Sequence, residues 1–229
     1  MIQTACPLWH DRAVSIRDLL RGLPVFARPL PRFAPADTPG SPDALFVSWL
    51  AEAVDAGVVE PHAMTLSTVD GDGLPDTRVL LLKEVDDRGW QFATSAGSAK
   101  GRQVAGTAAA ALGFYWREQG RQVRVRGTVA ALDPQTSAAD FRARPVSSRV
   151  ASLASEQSAV LADPPDLERA LATAEAAVAA DPDTPCADHT VYAVTPTSVE
   201  FWQGDADRRH VRLRYRRSGD TWHKELLWP

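Results

Sequence analysis

Six arginines and a histidine crowd into the ten positions after Asp207, in a chain of 229 residues whose formal net charge is -4. Directly upstream stands EFWQG (200–204), with a flat ring at Trp202 and a flexible exit at Gly204. Guanidinium groups are forked donors matched to carboxylate and phosphate, so the two features together suit a planar ligand with an anionic tail. On a strand running from Arg208 to Arg217, the pleat sends Arg208, His210, Arg212, Arg214 and Arg216 to one face and Val211, Leu213 and Tyr215 to the other. An edge strand guarded by solvated charge shows the same alternation, and the aromatic turn in front of it is what favours a ligand.

Other segments offer related chemistry. In RQVRVRG, Gln122, Arg124 and Arg126 share a face opposite Val123 and Val125, and Gln122 can bond the edge of a heterocycle, although an ordinary amphipathic strand reads the same way. In TRVLLLK, Arg78 and Lys83 are five apart and fall on opposite faces unless a bulge intervenes, so they touch different groups. SAKG (98–101) sets Ser98 as an N-cap with Lys100 and Arg102 near a helix start, where free N–H groups and the dipole attract an anion. Arg144-Pro145 with Ser147 and Ser148 supplies a guanidinium and hydroxyls for phosphate or carboxylate, or simply marks a helix boundary. His10, His62, His189 and His223 are scattered and read as structural or surface residues. Cys6 and Cys186 lie far apart without CxxC spacing, so neither a disulfide framework nor a metal site is expected. GxGxxG, GxxxxGK[ST], GxSxG and HExxH are absent, which removes support for a doubly wound nucleotide fold, a phosphate loop and zinc hydrolysis.

The elements that must hold these residues follow from the periodicity. Residues 1–40 form a proline-rich arm with a short helix at 14–22, and residues 41–229 form a single domain with a helical insert at about 134–182. SPDALFVSWLAEAVDAG (41–57) is an amphipathic helix with Pro42 at its first position and Leu45, Trp49, Leu50 and Val54 on one stripe. From residue 63, AMTLSTV, TRVLLLKEV, WQFATS, AAALGFYW and RQVRVRGTVAAL alternate with turn residues as an antiparallel meander. Helices are expected at 135–143, 147–155 and 165–180, and strands return at HTVYAVTP, SVEFWQ, RHVRLRYRR and DTWHKELLWP. Strands on both sides of a helical insert argue for one closed β-sheet with attached helices, an α+β fold. The acidic balance leaves no overall basic field for nucleic acid, and no apolar run is long enough for a membrane span. The N-terminus lacks a signal-peptide pattern, so a cytoplasmic location is expected.

Taken in order, RVLLLK (78–83), SAKG, FYW with GRQVRVRG (114–127), FRARPVSS (141–148), SEQS (155–158), EFWQG and RRH with Arg212 resemble the pyridoxamine 5′-phosphate oxidase family from about residue 45 to the C-terminus. The resemblance implies an antiparallel split β-barrel homodimer with FMN at its interface, oxidising pyridoxine or pyridoxamine 5′-phosphate to pyridoxal 5′-phosphate with O2 and releasing H2O2. It places FMN contacts on Arg78, Val79, Leu80, Leu81, Leu82 and Lys83, on Ala93, Thr94 and Lys100, and on Gln122, Gln157, Ser158, Trp202 and Arg212. Substrate contacts fall on Lys83, Arg144, Ser148, Arg208 and His210, with the last two placing the ring for hydride transfer and the others holding the phosphate. Two departures stand out. Ala99 replaces the arginine usual before the lysine of SAKG, at a cost of about 1.5–3 kcal/mol of charge-assisted bonding. Asp140 aligns with the tyrosine that ordinarily meets the substrate phosphate, and a carboxylate there repels a dianion. A branch of the family that oxidises reduced tricyclic intermediates of phenazine biosynthesis is the alternative, supported by EPHAMTLSTVDGDGLPDTR and FYWRE. A non-catalytic flavin- or heme-binding split barrel is the third reading, disfavoured by Arg208 and His210.

Overall fold

Period-two alternation from residue 63 onward is realised as nine strands in one antiparallel sheet. The computed structural model describes residues 15–229, so the first part of the arm, with Cys6 and His10, lies outside the described residues. Helix α1 (Ile16–Gly22) and a 3-10 turn at Pro35–Asp37 precede helix α2 (Pro42–Asp55). The strands are β1 (Ala63–Val69), β2 (Pro75–Leu81), β3 (Glu84–Asp86), β4 (Gly89–Ser95), β5 (Ala109–Trp116), β6 (Arg121–Ala131), β7 (His189–Gln203), β8 (Val211–Ser218) and β9 (Thr221–Leu227). Helix α3 (Ala99–Thr107) follows β4, and α4 (Pro134–Ala143), α5 (Val146–Ala154) and α6 (Pro164–Ala180) fill the insert, each within a residue of its expected span. Strand order is β2-β1-β5-β6-β7-β4-β3, with β8 joining β7 and β9 joining β8. Among the described residues no helix is long and apolar enough to cross a membrane.

Three local expectations are corrected. TRVLLLKEV is two strands, because the chain changes partners at its centre: β2 pairs with β1, whereas β3 pairs with β4. At the change, Leu82 N donates to His62 O at 2.9 Å and Lys83 N donates to Gln91 O at 2.8 Å. The first bond extends the β2–β1 ladder and the second the β3–β4 ladder, so the chain itself passes from one end of the sheet to the other here and curls it into a barrel, and Lys83 lies beyond β2 rather than on the opposite face of it. HTVYAVTP and SVEFWQ are one strand, β7, which carries Pro196 opposite Gly127 at a register shift in β6. Finally, β8 begins at Val211, leaving Arg208 and His210 in the turn before it.

The core lies inside the barrel under α2, whose Leu45, Phe46, Trp49 and Ala53 are buried against Trp90, Phe114, Trp116 and Phe201. The buried stripe is rotated from expectation: Val54 is exposed, and Phe46 takes the central place with ring contacts to Phe114 and Trp116. Helices α5 and α6 form a small separate cluster around Val150, Ala174 and Val178.

Gly127 is dictated by the register shift, since an added Cβ would sit 2.0 Å from Thr195 O. Gly113 on the neighbouring strand has room, with Thr65 Cβ the nearest atom at 3.9 Å. Gly127→Ala is therefore expected to cost about 3 kcal/mol and to lower Tm by roughly 6–12 °C, while Gly113→Ala shifts it little. Paired thermal melts test this, and equal melts would mean the register shift tolerates a side chain.

Candidate functional site

A cavity of about 670 Å³ opens where the β2–β3 crossing and β4 face helices α4 and α5. The barrel contributes Leu80, Leu81, Lys83, Ala93 and Thr94, and the insert contributes Arg144, Ser148 and Gln157. All eight are among the residues expected at the site. Along β2 Arg78 and Leu80 are half-buried and Val79 points outward, while beyond the strand Leu82 is packed into the core.

Helix α3 is tied to the cavity through Gln157, which lines it and bonds Lys100. Ser98 caps it, accepting from Gly101 N at 3.2 Å, and the Ala99 N–H donates to the Ser158 hydroxyl at 3.1 Å. Lys100 is buried, and its Nζ meets neutral oxygens: Gln157 Oε1 at 2.8 Å and Ser98 Oγ at 3.4 Å. No carboxylate forms an ion pair with it among the described residues, and burial, with the charge of Arg78 added, pushes its ammonium below the usual lysine range. A desolvated cation without a paired carboxylate is costly, and this one stands in the first turn of α3, where the dipole favours an anion. Arg78 is committed to Asp76, Thr68 and Gln103.

On the opposite wall Lys83 Nζ pairs with Asp140 Oδ1 at 3.0 Å, and Asp140 Oδ2 lies 2.7 Å from His189 Nε2. Burial alone pushes the Asp140 carboxyl up, but hydrogen bonds from His189 and Lys83 and the charge of Lys83 outweigh it and hold the group below its usual range. Arg144, at the C-cap of α4, donates to Ser152 Oγ at 2.7 Å.

The remaining expected residues form a second group. Gln122, Trp202 and Arg212 are cross-strand neighbours on β6, β7 and β8. Arg212 is tied to Glu200 at 2.9 Å and to Trp228 O at 2.9 Å, and Arg124 pairs with the same buried Glu200. Arg208 and His210 project from the turn that Asp205 organises: its side chain accepts from Asp207 N at 2.8 Å, and its own N–H donates to His210 Nδ1 at 3.0 Å. That bond leaves His210 Nε2 to carry the proton outward. Arg208 is held at φ 64, a left-handed conformation that costs a non-glycine residue about 1–3 kcal/mol. The ring of Phe26, from the arm, packs 6.0 Å from both Trp202 and His210. Gly204 is buried rather than a flexible exit, because an added Cβ would lie 2.8 Å from the Phe26 ring.

The two groups stand at opposite ends of β7, where Thr190 pairs with Thr94 and Trp202 with Gln122. At about 3.3 Å per residue the strand between them measures roughly 40 Å. The spacing patterns missed His189, which is buried in the cavity wall rather than merely structural or superficial, and also Ser152 and Asp205. The carboxylate–amide spacing in GDAD was the available signal for Asp205, whereas a lone histidine far from its partners carries none. Among the described residues no cluster of His, Cys, Asp or Glu is placed to hold a metal ion.

An antiparallel barrel closed at one crossing, with a helical insert over a cation-lined cavity, is a split barrel. Solved structures share it. PhzG from Burkholderia lata 383, in complex with tetrahydrophenazine-1-carboxylic acid, superposes with a TM-score of 0.82 at 34% identity, covering 87% of this chain and 99% of that one. A pyridoxamine 5′-phosphate oxidase-related FMN-binding protein from Nostoc punctiforme shares the fold at a TM-score of 0.67 and 17% identity. The family model for pyridoxamine 5′-phosphate oxidase matches residues 50–203, and that for the pyridoxine 5′-phosphate oxidase C-terminal dimerisation region matches residues 189–229. Pyridoxine/pyridoxamine 5′-phosphate oxidase of Thermosynechococcus vestitus is 46% identical over 86% of this chain and 93% of its own length. That of Pseudomonas paraeruginosa is 45% identical over 85% and 91%. The chain belongs to the pyridoxamine 5′-phosphate oxidase family and is an oxidoreductase.

Proposed function

We propose that the protein is an FMN-dependent oxidase converting pyridoxine or pyridoxamine 5′-phosphate to pyridoxal 5′-phosphate with O2 and releasing H2O2. The observation that carries the cofactor is Lys100, a buried ammonium without a carboxylate at the start of α3, which fits the phosphate of FMN. Ser158, Gln157 and Thr94 would complete that end, with Arg78 adding its charge from its place against Asp76, and the apolar side chains of the β2 crossing would meet the ring. The chemistry FMN supplies when bound is two-electron oxidation with O2 as the final acceptor.

This chain's residues bind and orient. Lys83, Arg144 and Ser148 hold the phosphate of the substrate, while Arg208 and His210 fix its ring, His210 donating through Nε2. A homodimer brings these together, since the two groups on one chain are too far apart along β7 for one ligand. The outward-facing Val79 and Trp228, 66% and 91% exposed, give a second copy apolar surface to cover.

A second reading is favoured by Asp140. Its pairing with Lys83 removes one positive charge from the anion end, which suits a carboxylate monoanion of a reduced tricyclic substrate better than a phosphate dianion. Loading the protein with FMN, excluding O2 and adding pyridoxine 5′-phosphate or pyridoxamine 5′-phosphate separates the two. Bleaching of the flavin reversed by air, with pyridoxal 5′-phosphate formed, is expected. A flavin that stays oxidised with both phosphates and bleaches with a reduced phenazine carboxylate overturns the first reading in favour of the second.

A further inference from the structure

Lys83, Asp140, His189, Arg144 and Ser152 form a continuous chain of polar contacts along the cavity wall, and its central members do not belong to the expected substrate set. His189 is the hinge of this chain. Its side chain is 5% exposed, its ring lies 5.3 Å from that of Phe141, and both of its nitrogens meet protein groups. Nδ1 stands 3.4 Å from Arg144 NH1, and Nε2 stands 2.7 Å from Asp140 Oδ2. A guanidinium nitrogen has hydrogens and no acceptor capacity, so Nδ1 must accept. The ring proton then resides on Nε2, where the carboxylate of Asp140 accepts it. One tautomer satisfies every contact, and Asp140 selects it, as carboxylates do for histidines that orient a third group.

The result is a fixed anchor for Arg144. This arginine follows the last turn of α4 with extended backbone, and its long side chain carries considerable rotamer freedom when unheld. Ser152 and His189 grip the same NH1, leaving its other nitrogens to the cavity. Facing His189 are Asp140 and Arg144 from α4, Cys186 and Asp188 from the segment before β7, and Lys83 from the crossing. Asp188 is engaged elsewhere, with Ser95 and Gly97 N, so Asp140 is the carboxylate that holds the ring.

We infer that His189, locked by Asp140, is a positioning residue that presents the Arg144 guanidinium to the anionic end of the substrate. This rests on reading the cavity as the substrate-anion site, and it applies to a phosphate or a carboxylate alike.

The test uses two amide replacements that each mimic one ring nitrogen, made in the full chain loaded with FMN. His189→Asn keeps an acceptor at the position of Nδ1, toward Arg144. His189→Gln extends to the position of Nε2, toward Asp140, and leaves Arg144 without its acceptor. Steady-state kinetics are taken with pyridoxine 5′-phosphate, or with the reduced phenazine carboxylate if that is what bleaches the wild-type flavin. His189→Gln is expected to raise KM about tenfold, the worth of one charged hydrogen bond, with kcat within about twofold and flavin absorbance retained. His189→Asn is expected to stay within about threefold of wild type. In an Arg144→Ala background neither replacement changes KM further, because the group being positioned is gone. Equal KM values for the two amides, or a KM rise that persists without Arg144, would overturn the inference while wild-type turnover stands. A wild-type flavin that neither substrate bleaches removes the reading on which it rests, and the inference with it.

Discussion

Replacing Arg208 with alanine is expected to lower kcat/KM by about a hundredfold or more while flavin stays bound. The side chain is exposed on the Asp205 turn and makes none of the contacts that hold the barrel, so its removal leaves the fold in place. Its backbone sits at φ 64, a conformation that glycine adopts without penalty. Arg208→Gly should therefore melt no lower than wild type, and by relief of strain about 1 kcal/mol higher, yet be as inactive as the alanine variant. A residue kept in a costly conformation on a turn that would be better served by glycine is retained for what its side chain meets. Measuring Tm, flavin content and turnover for both variants checks this. Parallel loss of flavin and activity would place Arg208 with the cofactor instead.

Lys100→Met should have the opposite signature. Removing a charged partner of a phosphate weakens binding by about 1.5–3 kcal/mol, or roughly ten- to a hundredfold in the Kd for FMN, read from flavin fluorescence. Turnover at saturating FMN should change little. The flavin-free protein should become more stable, because an uncompensated buried ammonium is replaced by an apolar chain of similar length. The pH dependence agrees in sign. With the folded-state pKa of Lys100 lowered, the unfolded chain binds more protons at pH values just below the ordinary lysine range, so flavin-free stability rises as pH climbs toward that range. Lys100→Met abolishes that rise. A variant that retains FMN as tightly as wild type would sink the assignment of the phosphate to α3.

Much of the fold was legible because its cause is local. Alternation marked the strands, Pro42 the start of α2, and Ala-rich periodicity the helices of the insert. What failed depended on remote partners. Nothing within TRVLLLKEV says that Leu82 leaves one strand for another, since the acceptors are His62 and Gln91. Pro196 reads as a strand break, and becomes harmless because Gly127 lies opposite it at the register shift. Arg208 and His210 alternate correctly for a strand, but the side chain of Asp205 captures the backbone into a turn first. The site divides in the same way. Cation-bearing segments were visible singly and were tied together by resemblance, whereas the Asp140–His189 contact joins residues 49 positions apart and leaves no local pattern.

The crossing at Leu82 and Lys83 gives the cavity one wall built of strand ladders and one built of helices. Lys83 carries a cation of the site on the same residue whose N–H extends the β3–β4 ladder to Gln91. Across from it, α5 rests on α6 through a small apolar cluster of its own and is fastened to the barrel by side chains rather than by a strand ladder. A substitution on that side changes the lining of the cavity without touching the strand ladders of the barrel.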